Sequence, residues 1–168
     1  LTPGPPPEDA YRIFDELAGR TPAGAEGLLF MPWLYGERTP IEDGSVRGGF
    51  FNLSLSSTRD HMLRAVMEGV ALNSRWLLGY LEKFIGRPVE ALRMIGGGAR
   101  SSLWCQIYAD VLGRPILRMA DPIDAGARGA AVLAFVGLGR ASARQMAERI
   151  PVAERIEPNP AHKDMYAR

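Results

Sequence analysis

Three consecutive glycines, Gly96–Gly98, stand between a short apolar segment, residues 91–95, and a helical pattern over residues 101–112. Glycine has no Cβ, so the backbone of such a turn can touch a flat or anionic group directly. The free N–H groups at the start of the following helix point toward the same place. Ser101 or Ser102 either caps that helix or turns its hydroxyl toward a ligand. The pattern indicates a ligand site, and a tight turn without a ligand is the alternative.

A dinucleotide is one ligand that such a turn could bind. Gly96-x-Gly98 matches the start of the G-x-G-x-x-G fingerprint, and Asp121 follows the next strand at a suitable distance for a ribose contact. Ser101 occupies the position of the third glycine, and the preceding strand lies deep in the chain. A partial match of this kind is weak evidence, so a dinucleotide-dependent oxidoreductase ranks third among the functions considered.

Hydrophobic periodicity places the turn between regular elements. Helices are predicted over 9–18, from 57–60 to Gly86, over 101–112, from Asp121-Pro122 to about 139 and over 142–149; strands are predicted over 27–34, 50–55, 91–95 and 115–119. Ser57 and Asp60 resemble a capping box, and Asp121 with Pro122 resembles an N-cap pair. The alternation favours an α/β fold in which strands 91–95 and 115–119 are parallel neighbours with a right-handed crossover.

Composition limits the possible partners. The chain has 168 residues, 46% of them hydrophobic and 23% charged, with a formal net charge of +1. This balance gives no general attraction to nucleic acid or to an anionic membrane, and we expect neither as a partner. No apolar run reaches the roughly 20 residues that span a bilayer. The single cysteine, Cys105, excludes an internal disulfide and favours the cytoplasm.

Four segments resemble the C-terminal domain of the FGGY carbohydrate kinases, within the actin-like ATPase superfamily. "IGGGARSSLWCQIYADVLGRPI" is similar to the family's adenosine-binding segment, and "YGERTPIEDGSVRGGFFNLSL" to its "GERTP…D…ARG.FFGL" loop. "HMLRAVMEGVALN" resembles its C-terminal signature helix, and "DAGARGAAVLA" its later small-residue helix. The segments follow the family's order, and the loop and signature helix are most similar to the xylulose-kinase-like branch. Asn52 stands where the family usually has glycine.

The resemblance implies an actin-like (ribonuclease H-like) α/β fold and an ATP-dependent sugar kinase that uses Mg²⁺. It implies that Gly97, Gly98 and Ser102 contact adenosine, while Gly96 and Ala99 shape the turn. On this reading a side chain at Gly98 would occupy ligand space. The expected substrate is a ketopentose such as xylulose. A non-catalytic nucleotide-binding or interaction module of the same fold is the second function considered.

The same resemblance implies that this chain is only part of the kinase. The family's catalytic Asp, its phosphate loop and its sugar-binding domain all precede the matched segments, so we expect no catalytic residue and no metal ligand here. Residues 1–10, which begin with Leu1 and are rich in proline, are interpreted as a linker or a truncation edge. Residues 11–150 are expected to be the incomplete nucleotide-binding domain, and 151–168 a proline-broken tail. An exposed sheet edge would then favour a homodimer.

Other polar residues have two interpretations each. Glu37 with Arg38, and Asp43 with Arg47, either pair to fix a loop near the domain cleft or form surface ion pairs of little worth. Glu68, on the long helix, either lies on an ordinary solvated face or has a structural role, and we favour the structural role. The small residues Ala125, Ala127, Gly129 and Ala130 serve either core packing or, by the resemblance, a hinge near the nucleotide.

Overall fold

The computed structural model describes residues 9–167 as an alternation of helices and short strands. The α-helices are α1 (Ala10–Gly19), α2 (Arg59–Ile85), α3 (Ser102–Leu112), α4 (Ala125–Gly137), α5 (Ala143–Glu148) and α6 (Lys163–Tyr166). The strands are β1 (Leu29–Met31), β2 (Gly49–Phe51), β3 (Leu92–Met94), β4 (Ile116–Met119) and β5 (Val152–Ile156). Over residues 9–167, no helix is long and apolar enough to cross a membrane.

A three-stranded sheet carries the glycine turn. Its order is β3-β4-β5, with β3 and β4 parallel and β4 and β5 antiparallel. Leu92 lies opposite Ile116 and Met94 opposite Arg118, and α3 connects the two parallel strands. The prediction that segments 91–95 and 115–119 are parallel neighbours joined by a helix is therefore confirmed, as is the α/β class.

The core of this unit lies between the sheet and the helices α2 and α3. Its buried members are Leu78, Cys105, Ala109, Leu112, Ile116 and Ile156. Burying a leucine or isoleucine side chain of this kind stabilises a fold by about 1.5–3 kcal/mol. Because Leu78 lies on α2 and the two isoleucines lie on β4 and β5, the cluster joins α2 and α3 to the sheet.

A second, two-stranded sheet packs on the N-terminal half of α2. In this sheet β1 and β2 are antiparallel, and the rings of Phe30 and Phe50 are 4.9 Å apart. A Cβ on Gly69 would collide with the carbonyl oxygen of Phe30, so glycine at this position lets the strand touch the helix. Both strands are shorter than predicted. The backbone of Asn52 is left-handed, with φ 64°, just after the end of β2, a conformation that asparagine tolerates better than most residues.

The cap of α2 lies one residue beyond the predicted position. The hydroxyl of Thr58 accepts a hydrogen bond from the backbone N–H of His61, and Nδ1 of His61 accepts one from the backbone N–H of Thr58, both at 3.3 Å. The predicted box of Ser57 and Asp60 is therefore wrong, because the hydroxyl of Ser57 accepts from the preceding turn, at Ser54. The helix ends at Gly86, as predicted.

Residues 152–166 form an ordered segment that we call the C-terminal strap. The sequence indicated only a proline-broken tail here, yet β5 adds a strand to the sheet. The helix α6 then places Tyr166 in a buried cluster with Ala71, Ile107 and Val111. The strap is therefore part of the core of this fold.

Asp110, on α3, anchors the middle of the strap. Its buried carboxylate accepts hydrogen bonds from the backbone N–H of Asn159 at 2.7 Å and from Nε2 of Gln106 at 2.8 Å. Nδ1 of His162 lies 2.7 Å from its second oxygen. Since a buried carboxylate needs partners to offset its lost hydration, these contacts hold the strap against α3.

Glu68, on α2, anchors the end of the strap. Its Oε1 accepts hydrogen bonds from Nε of Arg64 at 2.5 Å, from the hydroxyl of Tyr166 at 2.7 Å and from the backbone N–H of Gly24 at 3.0 Å. Burial, and then the hydrogen bond to Glu68, raise the pKa of the Tyr166 phenol, which stays protonated and donates at neutral pH. The structural role expected for Glu68 is confirmed by its burial and these three bonds.

Replacing Tyr166 with phenylalanine tests the strap. We expect Tyr166→Phe to lower the free energy of unfolding by about 1–3 kcal/mol, because Glu68 loses a buried donor. Tyr11→Phe is the control, since Tyr11 is exposed on α1 and should change stability by less than about 0.5 kcal/mol. Urea unfolding of both variants measures the difference, and equal midpoints would show that the strap is not held at Glu68.

Several large apolar side chains remain exposed. The residues concerned lie on α2, on α4 and beside β3: Trp76, Leu77, Tyr80, Leu81, Phe84, Ile95, Leu133, Phe135 and Leu138. A groove of about 370 Å³ runs between α2 and β3. Within residues 9–167, β3 pairs with β4 alone, so its other edge keeps free backbone hydrogen-bonding groups.

An exposed apolar surface next to a free strand edge favours association. We expect residues 1–168, produced alone, to form dimers or larger species in sedimentation velocity across a concentration series. A double variant, Leu77→Glu with Leu81→Glu, should shift the distribution toward monomer, because both side chains line the groove. A chain that sediments as a monomer at every concentration would contradict this expectation.

Candidate functional site

The glycine turn lies at the carboxyl edge of the parallel strands. It follows β3, and a second turn, at residues 120–124, follows β4. The backbone N–H of Gly96 donates to the carbonyl oxygen of Pro122 at 2.7 Å, which joins the two turns. In open parallel sheets, ligands bind in the crevice outside the carboxyl ends of the strands. The turn therefore lies at the edge of the sheet where a ligand site is expected, which makes it the candidate site.

The three glycines serve different purposes in this structure. Gly96 has φ 79° and ψ −168°, a conformation open almost only to glycine. Gly97 is exposed, and a Cβ placed on it would meet no atom within 4 Å. A Cβ on Gly98 would lie 3.1 Å from the indole ring of Trp104. Gly97 is thus the glycine whose backbone is exposed and unobstructed, while Gly96 needs its positive φ and Gly98 packs closely against Trp104.

The packing of Gly98 changes one expectation. A side chain at Gly98 was expected to fill ligand space, but the structure shows that its Cβ would first press against Trp104. A substitution at Gly98 would therefore act through the packing of the turn. Ala99 is buried within the turn, and its role in shaping a nucleotide site stays a prediction.

The two serines that follow have distinct partners. The hydroxyl of Ser101 accepts a hydrogen bond from the backbone N–H of Trp104 at 2.9 Å, so Ser101 is the N-cap of α3. The hydroxyl of Ser102 accepts from Arg118 at 2.9 Å, and Arg118 also pairs with Glu154 at 2.6 Å. Ser102 is exposed, yet its hydroxyl is already held by the neighbouring strand. A ligand contact from Ser102 remains a prediction.

The second turn differs from the prediction. Asp121 has a left-handed backbone with φ 46°, and α4 begins only at Ala125, after a 3₁₀ turn. Asp121 and Pro122 do stand at the N-cap and N1 positions of this opening turn, as predicted, but the turn is 3₁₀ and the side chain of Asp121 makes no capping hydrogen bond. Arg128 donates to the carbonyl oxygens of Ala120 at 3.0 Å and Asp121 at 2.7 Å, which fixes this turn from the helix.

A pocket of about 120 Å³ lies beside the two turns. Ile95, Pro122, Ala125, Arg128 and Gly129 contribute to its wall. Of the small residues on α4, Ala127, Gly129 and Ala130 are exposed, so in residues 9–167 they do not form core packing. Of these three, only Gly129 lines the pocket.

A polar network fixes the loop that follows β1, and the sequence did not reveal it. Asn73 on α2 accepts from Nε1 of Trp33 at 3.1 Å and donates to Glu37 at 2.8 Å. Glu37 also accepts from the backbone N–H groups of Thr39 and Arg38, and these bonds lower the pKa of its carboxyl. Asn73 stood on an apolar stripe in the sequence, and a polar residue there needs partners.

The ion pairs expected in this loop are wrong. Glu37 binds Asn73 and backbone, and among residues 9–167 it forms no ion pair with Arg38. Asp43 accepts from the backbone N–H and the hydroxyl of Ser45, which lowers the pKa of its carboxyl. Arg47 donates to carbonyl oxygens of its own loop. Hydrogen bonds between side chains and backbone within the loop take the place of ion pairs.

Residues 9–167 bring together no group of three His, Cys, Asp or Glu side chains suited to a metal ion. Burial raises the pKa of the Cys105 thiol, which lies in the core below the glycine turn.

Comparison with solved structures identifies the class of fold. Xylulose kinase from Rhodospirillum rubrum superimposes with a TM-score of 0.79 at 37% identity, over 95% of this chain and 32% of that one. Gluconate kinase from Lactobacillus acidophilus gives 0.82 at 30% identity, over 95% and 32%. The fold is that of an actin-like ATPase domain, which is ribonuclease H-like.

The family follows from the sequence match. Residues 7–138 match the model of the C-terminal domain of the FGGY family of carbohydrate kinases, and the chain belongs to this family. It is 36% identical to xylulose kinase of Staphylococcus epidermidis over 94% of this chain and 32% of that protein. It is 34% identical to gluconokinase of Bacillus subtilis over 79% of this chain and 26% of that protein.

Two consequences follow from these matches. The chain spans about a third or less of the length of these relatives. Membership in a carbohydrate kinase family also leaves the dinucleotide-dependent oxidoreductase without support.

Gly97 offers a direct test of the site. We expect Gly97→Val to weaken ATP binding by about tenfold or more, because the side chain would cover exposed backbone, while the melting temperature stays unchanged. Gly79→Val, on α2, is the control, since its Cβ also meets no atom within 4 Å. Calorimetric titration and thermal melts compare the two. Normal ATP affinity in folded Gly97→Val would exclude the glycine turn as the nucleotide site.

Proposed function

We propose that this chain is the adenosine-binding part of an ATP-dependent sugar kinase. The observation that carries the proposal is the exposed, unobstructed backbone at Gly97, at the carboxyl edge of β3 and β4. The α3 N-terminus adds N–H groups and a partial positive charge at the same place. Membership in a carbohydrate kinase family supplies the chemistry for which a nucleotide would be bound there.

The chain's part in the reaction is to position the nucleotide. Gly97, with the neighbouring backbone at Gly98 and the side chain of Ser102, would contact adenosine, and Gly96 and Ala99 would hold the turn. Phosphoryl transfer depends mainly on alignment and on neutralising charge, so a nucleotide held rigidly at one end contributes directly to the rate. Mg²⁺ enters as the ion that accompanies the ATP phosphates.

The general base and most of the sugar contacts are proposed to lie outside residues 1–168. The carboxylates near the described site have other tasks: Asp110 is buried under the strap, and Asp43 is bound within its own turn. Asp121 and Asp124 are exposed, and the backbone of Asp121 helps to fix the second turn. None of them matches the family's catalytic Asp in sequence.

The proposed substrate is a ketopentose of the xylulose type. Relatives named xylulose kinase match over 94% of the chain, at 36% identity. Gluconate is the second candidate, favoured by the match to gluconokinase at 34% identity over 79% of the chain. We propose the cytoplasm as the compartment, in keeping with a single unpaired and buried thiol at Cys105.

An ATP-consumption assay distinguishes these proposals. With the complete encoded polypeptide, we expect ATP turnover that requires xylulose and is weak with gluconate and glycerol. Residues 1–168 alone should bind ATP without consuming it, because no residue among them supplies the general base. Turnover with gluconate alone would show that gluconate, and not a ketopentose, is the substrate. ATP binding without turnover on any sugar would favour the non-catalytic module.

A further inference from the structure

Trp104 lies directly against the glycine turn. A Cβ built on Gly98 would come within 3.1 Å of Cε3 and Cζ3 of the indole and 3.5 Å of Cε of Met94. A contact of this length is shorter than nearly all Cβ contacts in close-packed interiors. The backbone of Gly98 therefore lies so near the ring that a Cβ could not be added at ordinary contact distance.

The indole is itself fixed from several sides. Its ring centre is 6.0 Å from that of Tyr108, whose hydroxyl lies 3.3 Å from Oγ of Ser74 on α2. It also packs against the buried cluster that contains Val111 of α3 and Tyr166 of the C-terminal strap. Trp104 thus connects the turn to α2, to α3 and to the strap.

Tryptophan is not the residue that stability alone would favour here. Its Nε1–H is buried and has no hydrogen-bond acceptor within residues 9–167. An unpaired buried donor is destabilising, and phenylalanine would fill much of the same space without one. Cε3 and Cζ3 belong to the six-membered ring, on the far side of the indole from Nε1. The reach of this ring toward Gly98 is what phenylalanine could not reproduce.

We propose that Trp104 is a positioning residue of the nucleotide site. Its ring fixes the position of the Gly97 and Gly98 backbone relative to adenosine. The proposal rests on the proposed function. Trp104 does not touch the nucleotide; it acts through Gly98, and Ser101 keeps it in place by accepting the hydrogen bond of its backbone N–H.

The first test replaces the ring with a smaller one. In the complete encoded polypeptide, Trp104→Phe should weaken ATP binding by about tenfold and raise the KM for ATP accordingly. The KM for the sugar and the melting temperature should stay close to those of the unsubstituted polypeptide, because the unpaired donor is removed together with part of the ring. Trp76→Phe, on the outer face of α2, is the matched control and should change none of these quantities.

The second test measures the coupling between ring and turn. Gly98→Ala alone should weaken ATP binding, because its Cβ would press on the ring. Adding Trp104→Phe should recover part of that loss, since the six-membered ring of the indole is no longer present. A double-mutant cycle on ATP affinity reports this interaction directly, because the two residues are in contact.

Each outcome decides between the proposals. Equal ATP affinity in Trp104→Phe and the unsubstituted polypeptide, or additive effects of the two substitutions, would overturn the positioning role and leave the proposed function standing. If Trp104→Phe loses ATP affinity only together with a fall in melting temperature, Trp104 is a packing residue and not a positioning residue. An unsubstituted polypeptide that binds no ATP would overturn both proposals.

Discussion

The buried carboxylate of Glu68 is the constraint on which much of this fold depends. A charge in the interior is tolerated only when hydrogen bonds replace the water it has lost. Arg64 supplies one donor from the same helix, but the other two come from Gly24, before β1, and from Tyr166, near the end of the chain. One oxygen atom thus requires the start, the middle and the end of the domain to come together.

The same buried contacts determine where the candidate site lies. Tyr166 reaches Glu68 from a cluster that also contains Ile107 and Val111 of α3, and Trp104 packs against that cluster. The helix that presents its N-terminus at the glycine turn is therefore held by α2 on one side and by the strap on the other. Precision at an exposed loop comes from buried contacts that the ligand would never touch.

Local patterns in the sequence predicted the elements nearest the site well. The glycines, the parallel pair of strands and the helix between them are all encoded within residues 91–119, where periodicity and turn residues agree. The strap was missed because four of the five residues of its strand are exposed, so the strand lacks an apolar pattern, and because its partners, Glu68 and Asp110, are distant in sequence. The ion pairs of Glu37 and Asp43 were predicted wrongly for the opposite reason. Neighbouring charges suggested pairing, whereas nearby backbone N–H groups, already in place, were the stronger competitors.

The caps show the same limit on a smaller scale. Thr58 and Ser57 are adjacent and chemically similar, so the choice between them depended on which backbone N–H groups the preceding turn already used. The roles of Gly96 and Gly98 also needed coordinates. A run of glycines indicates a conformationally free backbone. Only the contacts of Gly96 with Pro122 and of Gly98 with Trp104 show that Gly97 is the exposed glycine.

The hydrogen bond between Tyr166 and Glu68 joins residues 98 positions apart in the sequence. A chain emerging from the ribosome presents α2 long before the strap exists, and during that interval Glu68 lacks its phenolic partner. Contacts of such separation form late and slow the approach to the native state. The helix carrying Glu68 therefore completes its packing only after Tyr166 has been synthesised, and a polypeptide that stopped before Tyr166 would contain every element of the glycine turn but leave the buried Glu68 carboxylate without one of its three donors.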